Sequence, residues 1–343
     1  MKGIHESIFM SSLRAFCVTL CGALGLIVVL IALSIAYYSV YKAVEDESYP
    51  SKFKLLPDAH GSRKELSSSE PVLLQITFHG EIGASKLAAK DIEEILLDSK
   101  EDIFKERPVK GILLVINSPG GSVNDSDIIY HLIKEYKERY HVPVFAYAEG
   151  LCASGGYYIA CAADKIYASD VSLVGSIGVL SWPPFVNVVD ALEKIGVNAL
   201  TLSAGIGKDE MNPFRTWKPD EQKQYQSLLD FYYHRFVEIV SSERPVDKEH
   251  IIHTLGAKVY PAPEALNLGL IDQCCSTRSQ ALTDLAKAAK IEGKYQVVGY
   301  ESSSWWKKWL KEEPASPLLT GKIKHELALP SYKGNPMSYI FVP

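Results

Sequence analysis

The sequence lacks the features that mark several large classes of protein. It has no long run of basic residues, and 36 Lys and Arg against 41 Asp and Glu give a net charge of −5. Nucleic acid is therefore not an expected partner, because domains that bind it present clustered positive charge. None of the 6 cysteines has the spacing of a zinc ligand set, so no metal site is predicted. A content of 47% hydrophobic residues excludes a mainly disordered chain.

Charge is also missing from one segment, residues 15–41, which is rich in Leu, Ile and Val. A helix needs about 20 apolar residues to cross a bilayer, so this segment is long enough to span one. Lys2 and Arg14 precede it, and the acidic cluster Glu45–Glu47 follows it. The positive-inside rule then predicts an uncleaved signal anchor, with residues 1–14 in the cytoplasm and the remainder on the far side. A buried core helix and a cleaved signal peptide are the alternatives, although the segment exceeds the apolar region of a typical signal peptide.

The rest of the chain is organised as one domain between two less regular segments. Residues 42–70 are rich in Ser, Asp, Glu, Lys and Pro, which predicts a stalk. Residues 71–300 alternate strand-like and helical patterns, which predicts β-α-β units and an α/β core. Residues 301–343 form a tail rich in Trp and Pro. The strand patterns cover 71–78, 109–117 and 142–147, and the helical patterns cover 86–99, 128–136, a start near 154, and 220–242.

A glycine-containing turn, Asn117–Gly121 (N-S-P-G-G), directly follows the most apolar strand. In open α/β sheets, ligands bind in the crevice beyond the carboxyl ends of the strands, and glycines allow bare backbone N–H groups to face it. The turn lacks the spacing of a phosphate-binding loop, so it does not predict a nucleotide site. A tight turn without any ligand remains the alternative.

A second turn, A-S-G-G at residues 153–156, follows the next strand of the core. Ser154 at a strand-to-helix turn has an accessible hydroxyl, and the backbone N–H after it is free. That N–H and the one of Gly121 are able to converge on a carbonyl oxygen, which is the geometry of an oxyanion hole. The alternative is a serine that serves only as a helix N-cap.

A serine nucleophile also needs a general base, and the residues leave two candidates. His79 follows the first strand of the core, whereas the other histidines lie in the terminal segments or on polar helical stretches. A lysine is also a possible base if burial lowers its pKa towards neutrality. Lys208 stands in a loop of small residues and is the lysine that we consider, with a solvated surface charge as the alternative.

Four motifs taken together resemble the signal peptide peptidase A family. They are N-S-P-G-G, A-S-G-G-Y-Y (153–158), A-A-D-K-I-Y-A (162–168) and G-S-I-G-V (175–179), and the resemblance covers about residues 71–289. Members of this family are membrane-bound bacterial serine-lysine peptidases. The resemblance implies a crotonase-like and Clp-protease-like α/β fold with a β-α-β superhelical core.

The resemblance also implies roles for five residues. Ser154 corresponds to the nucleophile and Lys208 to the general base, while Ser176 corresponds to a serine that orients the lysine. Gly121 and Gly155 match the glycines of the oxyanion hole. Longer family members draw the serine and the lysine from two fused halves, so here both are expected from a single repeat.

The uncharged N-terminal segment and the resemblance together imply a membrane-anchored serine endopeptidase that degrades residual signal peptides through an acyl-enzyme and needs no metal or other cofactor. The resemblance places it in the bacterial inner membrane as a single-pass protein with an extracytoplasmic catalytic domain. Its expected partners are extended apolar peptides, the lipid bilayer and further copies of itself in a ring or dome. The alternatives are a crotonase-like enzyme acting on acyl-CoA and a catalytically inactive scaffold for membrane proteases.

Two parts of the tail carry hypotheses of their own. Trp305, Trp306 and Trp309 stand beside lysines, which is typical of an interfacial helix, and packing on the domain is the alternative. The apolar residues Met337–Pro343 are similar in composition to a signal-peptide substrate. We therefore hypothesise that they lie in the substrate groove.

Overall fold

The computed structural model describes most of the predicted domain and little of the segments around it. The described residues are 53–63, 70–84, 87–101, 104, 108–300 and 337–340, together with residues 16–18, 20 and 25. The chain divides into one unit of residues 1–52 and a second unit of residues 53–343. The predicted anchor, most of the stalk and the three tryptophans of the tail thus lie largely or wholly outside the described residues. Within the described residues, no helix combines the length and apolar character that crossing a membrane requires.

The second unit is built around a mostly parallel sheet. Its strand order is β1-β10-β2-β3-β5-β7-β9, with β6 also paired to β5, and only the pairs β1/β10 and β7/β9 of this sheet are antiparallel. A smaller sheet has the order β4-β11-β8. The strands are β1 Phe53–Leu56, β2 Val72–His79, β3 Val109–Ser118, β4 Gly120–Ser122, β5 Val144–Ala153, β6 Lys165–Ala168, β7 Leu173–Gly175, β8 Leu180–Ser181, β9 Val259–Pro261, β10 Gln296–Tyr300 and β11 Met337–Ile340.

Helices connect these strands and cover the larger sheet. The described helices are α1 Ala89–Asp98, α2 Val123–Tyr140, α3 Gly155–Ala160, α4 Val189–Lys194, α5 Gln222–Glu243, α6 Lys248–His250, α7 Ala262–Asn267 and α8 Arg278–Ala288, and a π-helical turn, Ile251–Leu255, follows α6. The alternation of strands and helices confirms the predicted α/β core. The strand predicted at 142–147 is longer than expected, because β5 continues to Ala153 and so carries the chain directly to Ser154.

The apolar strands are buried because both faces of the sheet are covered. Ile112 and Leu114 of β3 belong to the larger cluster of buried side chains, which includes residues of α2 and α5. Leu113, on the opposite face, packs in a smaller cluster with side chains of α8. This two-sided burial explains why β3 reads as a nearly continuous apolar run instead of an alternating one.

A segment that follows α7 fixes α3, the helix next to Ser154. The hydroxyl of Tyr157 donates a hydrogen bond to the carbonyl oxygen of Leu270 at 2.7 Å. Two residues further on, the carboxylate of Asp272 accepts from the Ile166 N–H at 2.7 Å and pairs with the Arg244 guanidinium at 2.8 Å. The Arg244 side chain is only 5% exposed, so its charge depends on this pairing.

We predict that Asp272→Ala lowers the free energy of unfolding by about 3 kcal/mol, because it leaves the buried Arg244 guanidinium without its counter-charge. Urea denaturation followed by tryptophan fluorescence measures the change. Arg139→Ala is the matched control, because it breaks an ion pair with Glu135 in which both side chains are about 60% exposed. The control should cost less than about 0.5 kcal/mol. Equal losses in the two variants would contradict the prediction.

Candidate active site

Ser154 occupies a strained turn between β5 and α3. Its φ of +53° is unusual for a residue with a side chain, and such strain persists only where surrounding contacts enforce it. Two hydrogen bonds do so: the Ser154 N–H donates to the Gly175 carbonyl at 2.8 Å, and the Ser154 carbonyl accepts from the Tyr158 N–H at 2.9 Å. The backbone of the predicted nucleophile is therefore held on both sides.

The hydroxyl of Ser154 is buried, whereas the sequence predicted an accessible one, because the residue is enclosed by the turn between β5 and α3. The residue is 1% exposed, and its Oγ has no hydrogen-bond partner among the described residues. A buried hydroxyl without a partner is unfavourable by about 1–3 kcal/mol, so such a group calls for an explanation. The N-cap alternative is excluded, because the side chain makes no capping hydrogen bond. A hydroxyl kept free for a substrate accounts for the observation.

Gly121 lies where no larger residue fits. A β-carbon at this position would come within 2.0 Å of the backbone oxygen of Ile82 and 2.6 Å of its nitrogen. This close approach exists because Ile82 pairs with Gly121 through an isolated parallel bridge. In that bridge the Ile82 N–H donates to the Gly120 carbonyl, and the Ile82 carbonyl accepts from the Ser122 N–H, both at 2.9 Å. The bridge thus fixes the direction in which the Gly121 N–H points.

The two glycine turns contact each other at the carboxyl ends of β3 and β5. Ser118 of the first turn pairs with Cys152, two residues before the predicted nucleophile. A β-carbon at Gly156 would come within 3.2 Å of the Ser118 carbonyl, so the second turn also packs closely against the first. The side chain of Asn117 joins the same strands, because its Oδ1 accepts from the Leu151 N–H at 3.1 Å. The structure therefore brings the segments of Gly121, Ser154 and Gly155 together, as predicted.

Ser176 lies next to the residue that holds the nucleophile. It is 6% exposed, has a φ of +56°, and donates its N–H to the Lys258 carbonyl at 2.6 Å. The preceding residue, Gly175, is the one whose carbonyl accepts from the Ser154 N–H. The hydrogen bond between the Ser154 N–H and the Gly175 carbonyl thus links the turn of Ser154 to the residue that precedes Ser176.

Lys208 is not in the buried environment that the sequence analysis required of a general base. Its side chain is exposed, and it borders a surface depression formed by residues 201–204 and 208–213. No hydrogen bond joins it to Ser154 among the described residues. The adjacent Asp209 carboxylate pairs with the Arg215 guanidinium at 2.7 Å instead. Asp209 is therefore committed to an ion pair of its own.

His79, the other candidate base, lies at the end of β2. It is exposed, and its register partner on β3 is Asn117, the first residue of the first glycine turn. The backbone of His79 therefore lies beside the first glycine turn. No hydrogen bond joins its imidazole to Ser154 among the described residues.

Two buried thiols near the site are unsuited to nucleophilic chemistry. Cys152 and Cys161 are completely buried. Burial raises the pKa of both thiols, to about 12 for Cys161 even though the Arg244 charge opposes the shift. Since the thiolate is the reactive form, these cysteines are poor nucleophiles, and Ser154 stays the predicted one.

Sequence reasoning missed several residues that build the site. The backbone of Ile82 and the carbonyl of Gly175 position Gly121 and Ser154, yet backbone contacts of this kind leave no signal in residue type. Asn117 belonged to a recognised motif, but its side-chain bond to Leu151 depends on how β3 and β5 pair. The short strand β8 was not predicted either, because two residues are too few to produce a pattern.

Comparisons with known proteins show which families this chain resembles. The model of peptidase family S49 matches residues 137–292, and the Clp protease model matches residues 75–170. A protein of Enterococcus faecium named for signal peptide peptidase SppA is 31% identical over 252 residues, which cover 70% of this chain and 72% of that protein. A relative from Methanocaldococcus jannaschii, whose name describes a protease, is 34% identical over 58% of this chain and 62% of its own length.

Two further similarities cover different shares of the relatives. Protease 4 of Haemophilus influenzae is 30% identical over 55% of this chain, and the match spans only 32% of that longer protein. Among solved structures, ClpP1 of Listeria monocytogenes is similar to 61% of this chain and 94% of its own, with 18% identity and a TM-score of 0.39.

The match to peptidase family S49, on a Clp-protease-like α/β sheet, and the protease-named relatives place the chain in the class of serine peptidases. Within that class, the identity and coverage of the Enterococcus relative decide the family. The chain belongs to the signal peptide peptidase A family, which confirms the resemblance carried by the four motifs.

We predict that Gly121→Ala lowers kcat for peptide hydrolysis by about 100-fold or more, because the added β-carbon displaces a backbone N–H of the oxyanion hole. The reason is the 2.0 Å approach to the Ile82 oxygen. Gly293→Ala is the control, because Gly293 also has a positive φ but has nothing within 4 Å of the position that a β-carbon would take. Circular dichroism should show both variants folded. Full activity of Gly121→Ala would contradict the assignment.

Proposed function

We propose that this chain is a membrane-anchored serine endopeptidase that degrades residual signal peptides and uses Ser154 as its nucleophile. The observation that carries the proposal is the buried Ser154 hydroxyl, which has no partner among the described residues and sits on a backbone fixed by Gly175 and Tyr158. Residues 71–300 form the peptidase domain in this proposal, residues 15–41 the anchor and residues 42–70 the stalk. Residues 301–343 form the tail.

The proposed chemistry is acyl transfer. Ser154 Oγ attacks the carbonyl carbon of the scissile bond, a general base takes the hydroxyl proton, and the proton passes to the leaving amine. The N–H groups of Gly121 and Gly155 stabilise the negative oxygen of the intermediate. The Gly155 N–H is suited to this role because the first N–H groups of a helix lack intrahelical acceptors. Water then hydrolyses the acyl-enzyme.

Lys208 is the proposed general base, with Ser176 as the serine that orients it. The support is the family membership, since Lys208 precedes the sequence N-P-F-R (212–215) as the family's base does. The exposure of Lys208 in a single chain means that something further must bury it before it is an effective base.

The surroundings of Lys208 point to a second copy of the chain as what buries it. Leu200, Leu202 and Ile206 are all more than 80% exposed, and Ile195 in the same segment is 71% exposed. Exposed apolar side chains in one continuous segment are typical of an interface. We therefore propose a homo-oligomer in which this segment packs against a neighbouring copy. The neighbour's Ser154 is then the hydroxyl that Lys208 serves.

Two variants and the pH profile of the wild type test the dyad. Ser154→Ala should lower kcat by about 1,000-fold or more and abolish labelling by a fluorophosphonate, because both need the hydroxyl. Lys208→Arg should be equally inactive, since a guanidinium stays charged and takes no proton. In the wild type, kcat/KM should rise with pH and then level off, because only the uncharged amine accepts a proton.

The peptide-hydrolysis assay also tests whether Ser154 and Lys208 act within one chain or between two copies, and whether His79 is the base instead. Mixing inactive Ser154→Ala with inactive Lys208→Met should restore part of the activity, because mixed oligomers contain sites with both intact residues. No recovery would place the two residues in one chain. Activity that survives in Lys208→Met but is lost in His79→Ala would identify His79 as the base.

We also expect the catalytic domain to lie outside the cytoplasm, because Lys2 and Arg14 precede the uncharged segment and acidic residues follow it. Alkaline phosphatase fused after Asp46 should therefore be active in a Gram-negative host. A fusion after Arg14 is the control and should be inactive. An inactive fusion at Asp46 would contradict the proposed anchor.

A further inference from the structure

The two donors of the proposed oxyanion hole stand at the starts of two different helices. Gly121 lies two residues before α2, and Gly155 is the first residue of α3. The geometry of the proposed hole therefore depends on how α2 and α3 are placed relative to each other. Because α3 has only six residues, contacts with other elements must hold it in position.

Gly121 is joined to the first turn of α2 through the residue that follows it. Ser122 is the N-cap of this helix, and its hydroxyl accepts from the Asp125 N–H at 3.3 Å. The carbonyl of Ser122 accepts from the Ser126 hydroxyl at 2.8 Å. These two bonds tie the backbone beside Gly121 to the start of the helix.

Tyr158 joins the turn of Ser154 to the body of α3. Its N–H donates to the Ser154 carbonyl at 2.9 Å, a bond that spans the first turn of the helix. Its side chain is completely buried, and its ring contacts the rings of Tyr130 on α2 and Phe236 on α5, with centroids 5.6 and 5.0 Å away. The backbone of Tyr158 thus holds the turn of Ser154, and its side chain reaches the neighbouring helices.

A hydrogen bond joins α3 to α2 through this side chain. The Tyr158 hydroxyl donates to Asp127 Oδ1 at 2.5 Å. The same oxygen lies 3.6 Å from Nε2 of His131 and 3.7 Å from Nε of Arg235 on α5. Arg235 also donates to Nε2 of His131 at 3.1 Å. Asp127 is therefore held by its own helix and by α5, and a hydrogen bond to a charged acceptor such as this carboxylate is stronger than a neutral one.

We propose that Asp127 and Tyr158 are positioning residues for the oxyanion hole. Their hydrogen bond fixes the start of α3 against the start of α2, and thereby the separation of the Gly155 and Gly121 N–H groups. This inference rests on the proposed function. The bond acts through the two helices and not on the substrate itself. Because the oxyanion forms only in the transition state, a displaced donor should slow the chemical step and leave substrate binding unchanged.

The kinetics of peptide hydrolysis by the purified full chain test the proposal. Tyr158→Phe keeps the ring and removes only the hydroxyl. Its kcat, counted per site that a fluorophosphonate labels, should fall about tenfold while KM changes less than about twofold. This loss is smaller than that from removal of a donor, which costs about 100-fold or more. A peptide aldehyde, whose oxygen takes the place of the oxyanion, should bind about tenfold less tightly.

Variants of Asp127 separate this hydrogen bond from its surroundings. Asp127→Ala should show the same loss as Tyr158→Phe, and the double variant should show no further loss, because both changes break the same bond. Asp127→Asn keeps an oxygen that accepts from the Tyr158 hydroxyl. Its kcat should therefore stay within about threefold of the wild-type value.

Tyr136→Phe is the matched control. Tyr136 also lies on α2 and is 5% exposed, and its hydroxyl shares a hydrogen bond of 3.0 Å with the Ser99 hydroxyl, near the other end of the helix from Gly121. Thermal unfolding should show a loss of stability similar to that of Tyr158→Phe. The kcat of the control should nevertheless equal that of the wild type.

Several outcomes overturn the inference, and they are distinct from a failure of the proposed function. An unchanged kcat in Tyr158→Phe, beside a wild type that takes the label at Ser154 and cuts the peptide, would retain the function and remove the inference. A loss of about 100-fold in the double variant would also overturn it, because two independent effects multiply. The same holds for a kcat of Tyr136→Phe as low as that of Tyr158→Phe. A wild type in which Ser154 takes no label and no peptide is cut would remove the proposed function itself, and this inference with it.

Discussion

The close approach of the Gly121 and Ile82 backbones is the constraint on which the rest of the site depends. It requires a residue without a β-carbon, because any other would come within 2.0 Å of the Ile82 oxygen. It also commits the backbone groups of Gly120 and Ser122 to Ile82, which leaves those of Gly121 facing the groove. One contact thereby sets a donor for the proposed oxyanion hole and an edge on which an extended peptide is able to pair.

The second requirement is a serine that is held firmly and yet left unbonded. The fold meets it by fixing the backbone of Ser154 through Gly175 and Tyr158 while giving its Oγ no partner among the described residues. The helix behind it is tied down in turn by the bond between Tyr157 and Leu270. Stability contributed by these neighbours offsets the strain at the turn, and for this reason distant residues such as Asp272 bear on the site.

The segment around Lys208 differs in kind from this rigid centre. Its apolar side chains, among them Leu200 and Leu202, are exposed, and its internal contacts include the ion pair of Arg215 with Asp209. A lysine needs burial to act as a general base, as proposed for Lys208. In a single chain, however, Ser154 is buried and Lys208 is exposed. The proposed assembly of several copies would reconcile them, because it would bury the segment without changing the fold of each copy.

The amino-acid sequence alone was sufficient to predict the α/β class and the positions of β2, β3 and α5. It was also sufficient to predict the two glycine turns at the carboxyl ends of β3 and β5. These features were predictable because apolar periodicity and glycine position are patterns within a short stretch of sequence. The roles predicted for Ser154 and Gly121 came from the family resemblance. Only the tertiary structure decided that the Ser154 hydroxyl has no hydrogen-bond partner among the described residues, that Lys208 is exposed and that Tyr339 lies opposite Gly121. These facts depend on contacts between segments far apart in the chain, and local residue patterns do not encode such distances.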